Sequence, residues 1–260
     1  MINFLRKIRR DLINDNKTSV YLIYAVGEVV LVVVGILIAL QIDNWNENKR
    51  IRNTEQQYLL ALKEEFSFNK GELENIMNRN KLNFENALRI LDNTGPENPE
   101  ITDDEFGRLL TYSLSIEIQF DPSQGVLDEI ISSGKLGIFS NKDLKFELSS
   151  WSGILDRVRL QEQELLSMRS RTIEMVRNQA NLRKAIGAGL EGMGIKQTKF
   201  EQGNLHLLKS VAFEGHMTGF ATMSLNLNNN YYPNLLEAID KILLLIDDEF
   251  TSFSNDLRSP

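Results

Sequence analysis

The 260-residue chain has no cysteine. That excludes a disulfide scaffold, a thiolate zinc site, an iron–sulfur cluster and a thiol nucleophile. Histidine is nearly absent as well: His206 and His216 are the only two. They stand ten positions apart, whereas ligands on one helical face fall three or four apart, so they read as separate surface or bundle-face residues. An excess of positive charge is also missing. The formal net charge is -7, which gives no electrostatic reason for nucleic-acid binding. No Gly-x-Ser-x-Gly elbow, P-loop or kinase signature occurs, and no Glu-x-x-His pair of the four-helix di-iron type. The residues therefore offer no catalytic, metal or cofactor constellation, and the expectation is a chain that is not an enzyme.

Long apolar runs are missing too, with one exception. Val20 to Ile42 reads VYLIYAVGEVVLVVVGILIALQI, and Glu28 is its only charged residue. At helical rise this run is roughly 35 Å long, enough to cross a hydrocarbon core of about 30 Å. It is too long for the h-region of a signal peptide, and Ala39-Leu40-Gln41 offers no small-x-small cleavage site. Residues 20–43 are expected to form an uncleaved transmembrane helix, with Tyr21, Tyr24 and Trp45 as interfacial anchors. Arg6, Lys7, Arg9, Arg10 and Lys17 precede the span; Lys49, Arg50 and Arg52 follow it. By the positive-inside rule the N-terminus is cytoplasmic and the C-terminal part is exported. Residues 1–19 should form a basic amphipathic segment on the inner surface, with Phe4, Leu5, Ile8 and Leu12 opposite its cations.

A carboxylate roughly 12 Å into the bilayer is costly unless protonated, paired or facing water, so Glu28 is a functional candidate. It lies near the helical line through Gly35 and Ala39, with Gly27 beside it in the chain. Gly35-x-x-x-Ala39 is a small-xxx-small pair that lets another helix approach closely. Gly27, Gly35 and Ala39 are therefore candidate helix–helix contacts. Three roles are open to Glu28: a hydrogen bond in a homo-oligomer, a contact with a partner membrane protein, or ion or proton coupling.

Nothing after Trp45 stops the helix, so the fold expected is all-α. One N-terminal transmembrane helix continues into an extramembrane bundle of long antiparallel helices, residues 44–260. Leu59, Leu62, Phe66, Leu73, Ile76, Ala87 and Ile90 recur at helical spacing, with Asn69, Asn80 and Asn83 in the same seam. The loop Thr94–Pro99 ends that helix, and Thr102 with Glu105 forms a capping box for the next. In FDPSQGVLDEIISSGKLGIF, Gly134 suits a left-handed cap after a short helix. Ser140 and Asp143 open the longest soluble helix, predicted to run to about Lys184. Its buried side is Leu144, Leu148, Trp151, Leu155, Val158, Leu165, Ile173 and Val176. Glu162 and Arg169 interrupt that stripe and are placed at its solvated edge or against a neighbouring helix. Gly187-x-Gly189-x-x-Gly192 lacks the strand a dinucleotide loop requires and reads as a flexible connection. Leu205, Leu208, Val211 and Phe220 suggest a further helix, Asn228–Asn230 a break, and Pro233 the start of the last helix.

On FLRKIR, YLIYAVGEVVLVVVGILIALQIDNWNE and FDPSQGVLDEIISSGKL the chain resembles a family of single-span proteins of Gram-negative bacteria, classified only as a domain of unknown function. The pair Gly27-Glu28 is the most specific part. The resemblance implies an inner-membrane protein with a helical periplasmic domain, and it brings no reaction, substrate or cofactor. The function expected is a membrane-anchored interaction or scaffold module, whose partners are the lipid bilayer and either further copies of itself or another membrane protein. An accessory subunit of an ion- or proton-coupled complex is the alternative. An extracytoplasmic sensor is weaker, because the short N-terminal tail cannot carry an output domain.

Overall fold

A computed structural model describes residues 18–189, 194, 196 and 198–256, with 18–24, 188–189 and 253–256 described by backbone alone. The basic segment 1–17, the side chains of Tyr21 and Tyr24, and Gly192 lie outside the described residues. Two compact units result, one up to Gln57 and one from Tyr58 onward. The regular elements among the described residues are all helices, with no strand.

Helix α1 is Thr18–Leu91. It is followed by α2 (Asp103–Leu114), α3 (Gly125–Ser132), α4 (Lys142–Gln179) and α5 (Leu182–Gly189). Helix α6 (Val211–Asn226) passes through a π-helical turn, Leu227–Tyr231, into α7 (Tyr232–Asp256). Short 3₁₀ turns lie at Lys135–Ile138 and Leu205–Lys209.

In the second unit three long elements carry the core. Lys63 and Lys70 of α1 reach Asp247 and Asp240 of α7 at 2.6 and 2.7 Å, so these two helices are antiparallel. Glu147 and Glu162 of α4 meet Lys241 and Tyr232, so α4 also runs against α7. It follows that α1 and α4 are parallel, and the chain between them crosses over through α2 and α3. Leu59, Leu62, Phe66, Leu73, Ala87 and Ile90 are buried, as are Leu144, Leu148, Trp151, Leu155, Val158, Leu165 and Val176. Phe66 and Trp151 meet edge to face at 5.0 Å, Phe106 and Phe213 at 5.8 Å. Such pairs add to simple area burial.

Several local signals act as their chemistry requires. Thr102 accepts the Glu105 N–H at the start of α2, and Gly134, at φ 71°, takes the left-handed conformation after α3. The cap of α4 is Asn141, whose side chain accepts from Asp143 and Leu144.

Other expectations need correction. The long helix stops at Gln179 rather than near Lys184, because Asn204 takes over the next backbone groups. Its Oδ1 accepts the Asn181 N–H at 2.6 Å and its Nδ2 donates to the Asn181 carbonyl at 3.2 Å. Gly187 and Gly189 then lie in helix α5, not in a loose connection. Asn228–Asn230 is not a break. Tyr232 donates its N–H five residues back to Leu227, and the helix continues through the wide turn. Pro233 consequently sits inside a continuous helical run instead of opening one, and its missing N–H falls where the regular ladder is already interrupted. Val211 is exposed at the first turn of α6, preceded by the 3₁₀ turn that buries Leu207 and Leu208.

Candidate functional site

The apolar run of the first unit has no cover. From Val26 to Ile42 every residue is exposed, the large side chains by 47% to 76% of their surface. It is the one described helix long and apolar enough to cross a membrane. Glu28, Gly35 and Ala39 are all exposed within it, at spacings of seven and four along one helix. Beyond the Cα atoms of Gly27 and Gly35 there is open space to 4 Å. Trp45 is exposed at the polar end of the run, with the Lys49 ammonium 5.5 Å from its ring centroid.

In the second unit, buried polar side chains hold helices to one another. The strongest set grips the FDPSQGVLDEI segment. Gln124 is the N-cap residue of α3 and supplies no side-chain acceptor. The acceptor comes instead from α1. One Glu65 oxygen accepts the Val126 N–H at 2.9 Å, and the other accepts the Leu127 N–H at 3.1 Å. These are the second and third helical positions, the ones an N-cap side chain normally serves, and a carboxylate there also meets the positive end of the helix dipole. One turn further along α1, Asn69 exchanges a pair of hydrogen bonds with the backbone of Ser123, at 2.7 and 2.8 Å. At the other end of α3, Tyr58 donates to Glu129 and Lys135 donates to the Tyr58 oxygen, both at 2.6 Å. The Tyr58 hydrogen bond and the Lys135 charge outweigh slight desolvation and hold the Glu129 carboxyl below the usual carboxylate range.

A second knot ties α2 to the α4–α5 junction. Asp103 accepts from the backbone of Asn204, and the Lys184 ammonium lies 2.8 Å from its other oxygen. Burial opposes the Asp103 charge, but Lys184 and the N–H groups of Asn204 and Leu205 together hold the carboxyl below its ordinary range. Gly203 leaves room for this carboxylate: a Cβ would come within 2.8 Å of both Asp103 oxygens and force one group to shift. His206 bridges two ends, with ring nitrogens 3.1 Å from the Gly203 carbonyl and 2.9 Å from that of Gln179, the last residue of α4.

Asn80, fully buried, donates to the Ser224 carbonyl at 2.9 Å and to Asn228 at 2.8 Å, while Asn228 donates to Met77. Glu162 is buried rather than at a solvated edge. It accepts from Phe120 and Tyr232, so its place is against neighbouring elements. Arg169 likewise donates to the Leu114 carbonyl at 2.8 Å, satisfying the C-terminal end of α2.

The sequence pattern did not single out Glu65 or Asp103. A signal existed for the first: Glu65 stands between Leu62 and Phe66 in the buried seam, where a charge needs a partner. Nothing local marks the second, whose partners lie about eighty to a hundred positions away. Among the described residues, no group of three or more His, Asp or Glu is placed to hold a metal ion.

An all-helical bundle preceded by one long apolar helix defines the class of this protein. Residues 28–154 match the family described as "Family of unknown function (DUF6090)". The matched stretch begins at Glu28, takes in most of the apolar run, and ends within α4 after the whole of the Glu65, Asn69 and Tyr58 clamp. No curated protein and no solved structure matches the chain.

Proposed function

We propose that this chain is a membrane-anchored helical interaction or scaffold module without catalytic activity of its own. The observation that carries the reading is the contrast between its parts. One chain joins an apolar run exposed all round to a bundle whose buried polar groups, Glu65, Asn69, Asn80 and Asp103 among them, hold helices together. Such an apolar surface is stable only in lipid or against another apolar surface. The excess of cations before the run supports an N-terminus in the cytoplasm and a bundle in the periplasm of a Gram-negative cell.

Within the membrane, Glu28 favours a partner, because an isolated acid in hydrocarbon needs a hydrogen-bonding group opposite it. A second copy meets that need, bringing its own Glu28 to the same depth, with Gly27, Gly35 and Ala39 at the close approach. The alternative, an accessory subunit of an ion- or proton-coupled complex, rests on the same acid facing a different membrane protein.

The test is the native mass of the full-length protein, extracted gently from its own membrane, with every co-purifying chain identified. A homo-oligomer that persists in Glu28→Gln and weakens in Glu28→Leu supports self-association. A stoichiometric second membrane protein, with function lost in Glu28→Gln while assembly is intact, supports the accessory subunit. A monomer free of any partner overturns both. Because the chain lacks cysteine, one introduced at Ser252 reads the side of the membrane by labelling whole cells.

A further inference from the structure

His206 presents both ring nitrogens to acceptors. Nδ1 lies 3.1 Å from the Gly203 carbonyl oxygen, and Nε2 lies 2.9 Å from that of Gln179. A carbonyl oxygen cannot donate, so each contact needs an N–H from the ring. The neutral imidazole has only one, and in either tautomer its other nitrogen turns a lone pair toward an oxygen lone pair. The imidazolium has two and satisfies both oxygens. Gln179 is the last residue of α4, so its carbonyl is left without a partner inside the helix and stands at the negative end of the helix dipole. A cation is favoured there on both counts. The direction therefore follows from geometry: the protonated ring fits this joint better than the neutral one.

The other fastenings of the joint do not titrate. Asn204 exchanges hydrogen bonds with the Asn181 backbone, Asn181 donates to the Gln202 carbonyl, and Thr111 of α2 donates to the Ala185 carbonyl of α5. The charged groups of the elements that meet here can be named in turn. Helix α2 brings Asp103 and Asp104, α5 brings Arg183 and Lys184, and the last turn of α4 brings Arg177. The segment of His206 itself brings Glu201 and Lys209. Burial opposes the Asp103 charge, but Lys184 and the backbone N–H groups hold its carboxyl below the ordinary range, and Asp103 in turn holds the Lys184 ammonium above its own. Among the described residues the two carbonyls are the only partners of the His206 ring. Histidine is the side chain that ordinarily changes charge between about pH 5 and 8. The second histidine of the chain, His216, stands apart on α6.

We propose that His206 is a proton-operated staple: its imidazolium pins the end of α4 to Gly203, and loss of the proton slackens the joint that sets α5 against α2. Closing the joint takes up a proton. It is therefore tightest at acid pH and loosens as pH rises through the range in which imidazole loses its charge. His206 is exposed, so water serves the nitrogen that the neutral ring leaves over, and the effect is local and moderate.

The experiment is hydrogen exchange on the full-length protein in detergent micelles, from about pH 5 to about pH 8 and corrected for intrinsic rates, with imidazole nitrogen NMR spectra of the same samples. The reporters are the amides of Asn181, Lys184 and Ala185, which bond within the joint. Their protection is expected to fall about two- to fivefold across this range, the effect of a cation at an exposed helix C-terminus. At the acid end the His206 ring should carry a proton on each nitrogen, and loss of one should track the fall in protection. His206→Ala is expected to remove the pH response and to hold protection at or below the lowest value of the natural protein. His206→Arg, which keeps a donor cation at every pH, is expected to be equally flat but better protected than His206→Ala. The proposal is overturned by protection that is flat or rises with pH in the natural protein, by a pH response that survives in His206→Ala, or by a ring titration that does not coincide with the fall in protection.

Discussion

Removing the charge of Glu65 while keeping its shape isolates the clamp on α3. In Glu65→Gln one oxygen survives and can still accept from Val126 or Leu127, but the new amide donor faces the remaining N–H, donor against donor. Hydrogen bonds to charged groups contribute about 1.5–3 kcal/mol each, and a buried donor left without an acceptor costs about 1–3 kcal/mol. The expected loss for Glu65→Gln is therefore about 2 kcal/mol, and for Glu65→Ala, which empties the site, about 4 kcal/mol. For a cooperative unit of this size each kcal/mol lowers Tm by roughly 2–4 °C, so Glu65→Gln should melt roughly 4–8 °C below the natural protein. The assay is thermal unfolding of the full-length protein in detergent, followed by circular dichroism, with hydrogen exchange at Val126 and Leu127 as the local readout. A rescue tightens the reasoning. Gln124→Ser in the Glu65→Ala background supplies a local N-cap and should restore about 1 kcal/mol. If Glu65→Gln melts within 1 °C of the natural protein, or if the protection lost lies elsewhere than α3, the distant cap is not what holds this helix.

Two further outcomes concern the knot around Asp103. Its folded value is depressed, so its stabilisation is present above the unfolded value of about 4 and lost as pH falls through the folded one. Asp103→Asn should destabilise by about 1–2 kcal/mol at neutral pH, and its acid-unfolding limb, followed by fluorescence, should be shallower than that of the natural protein. Gly203→Ala should cost about 1–3 kcal/mol in chemical denaturation, because the added methyl meets a carboxylate that Lys184 and Asn204 fix in place. In an Asp103→Ala background the same substitution should cost under about 0.5 kcal/mol, the loss of the clash appearing as non-additivity.

What could be read from the sequence was read where a residue acts on its own neighbourhood. The seam from Leu59 to Ile90, the Thr102 cap, the Gly134 turn and the apolar run each follow from spacing or from one residue's conformational preference. Reading failed where a distant side chain substitutes for local chemistry. Asn204 ends α4 from 23 positions away, and the hydroxyl of Tyr232 draws Glu162 into the core from 70 positions away. Pro233 looked like a beginning because a regular turn rejects it, and a π turn is not written in any short pattern. Of the candidate contacts in the apolar run, the structure gives the shared helix and the exposure of Glu28, Gly35 and Ala39.

The borrowed cap of α3 also bears on how the bundle assembles. Helix α2 carries its own Thr102 and can close its first turn alone, but the acceptor for α3 stands 61 positions before Val126. Until that loop closes, the opening amides of α3 have only water, and an eight-residue helix is too short to persist unaided. Residues 125–132 are accordingly expected to become ordered once the Tyr58–Leu91 part of α1 has formed and docked, not as an independent nucleus. A nascent chain is therefore expected to carry α1 through the whole of α2 before α3 gains its acceptor.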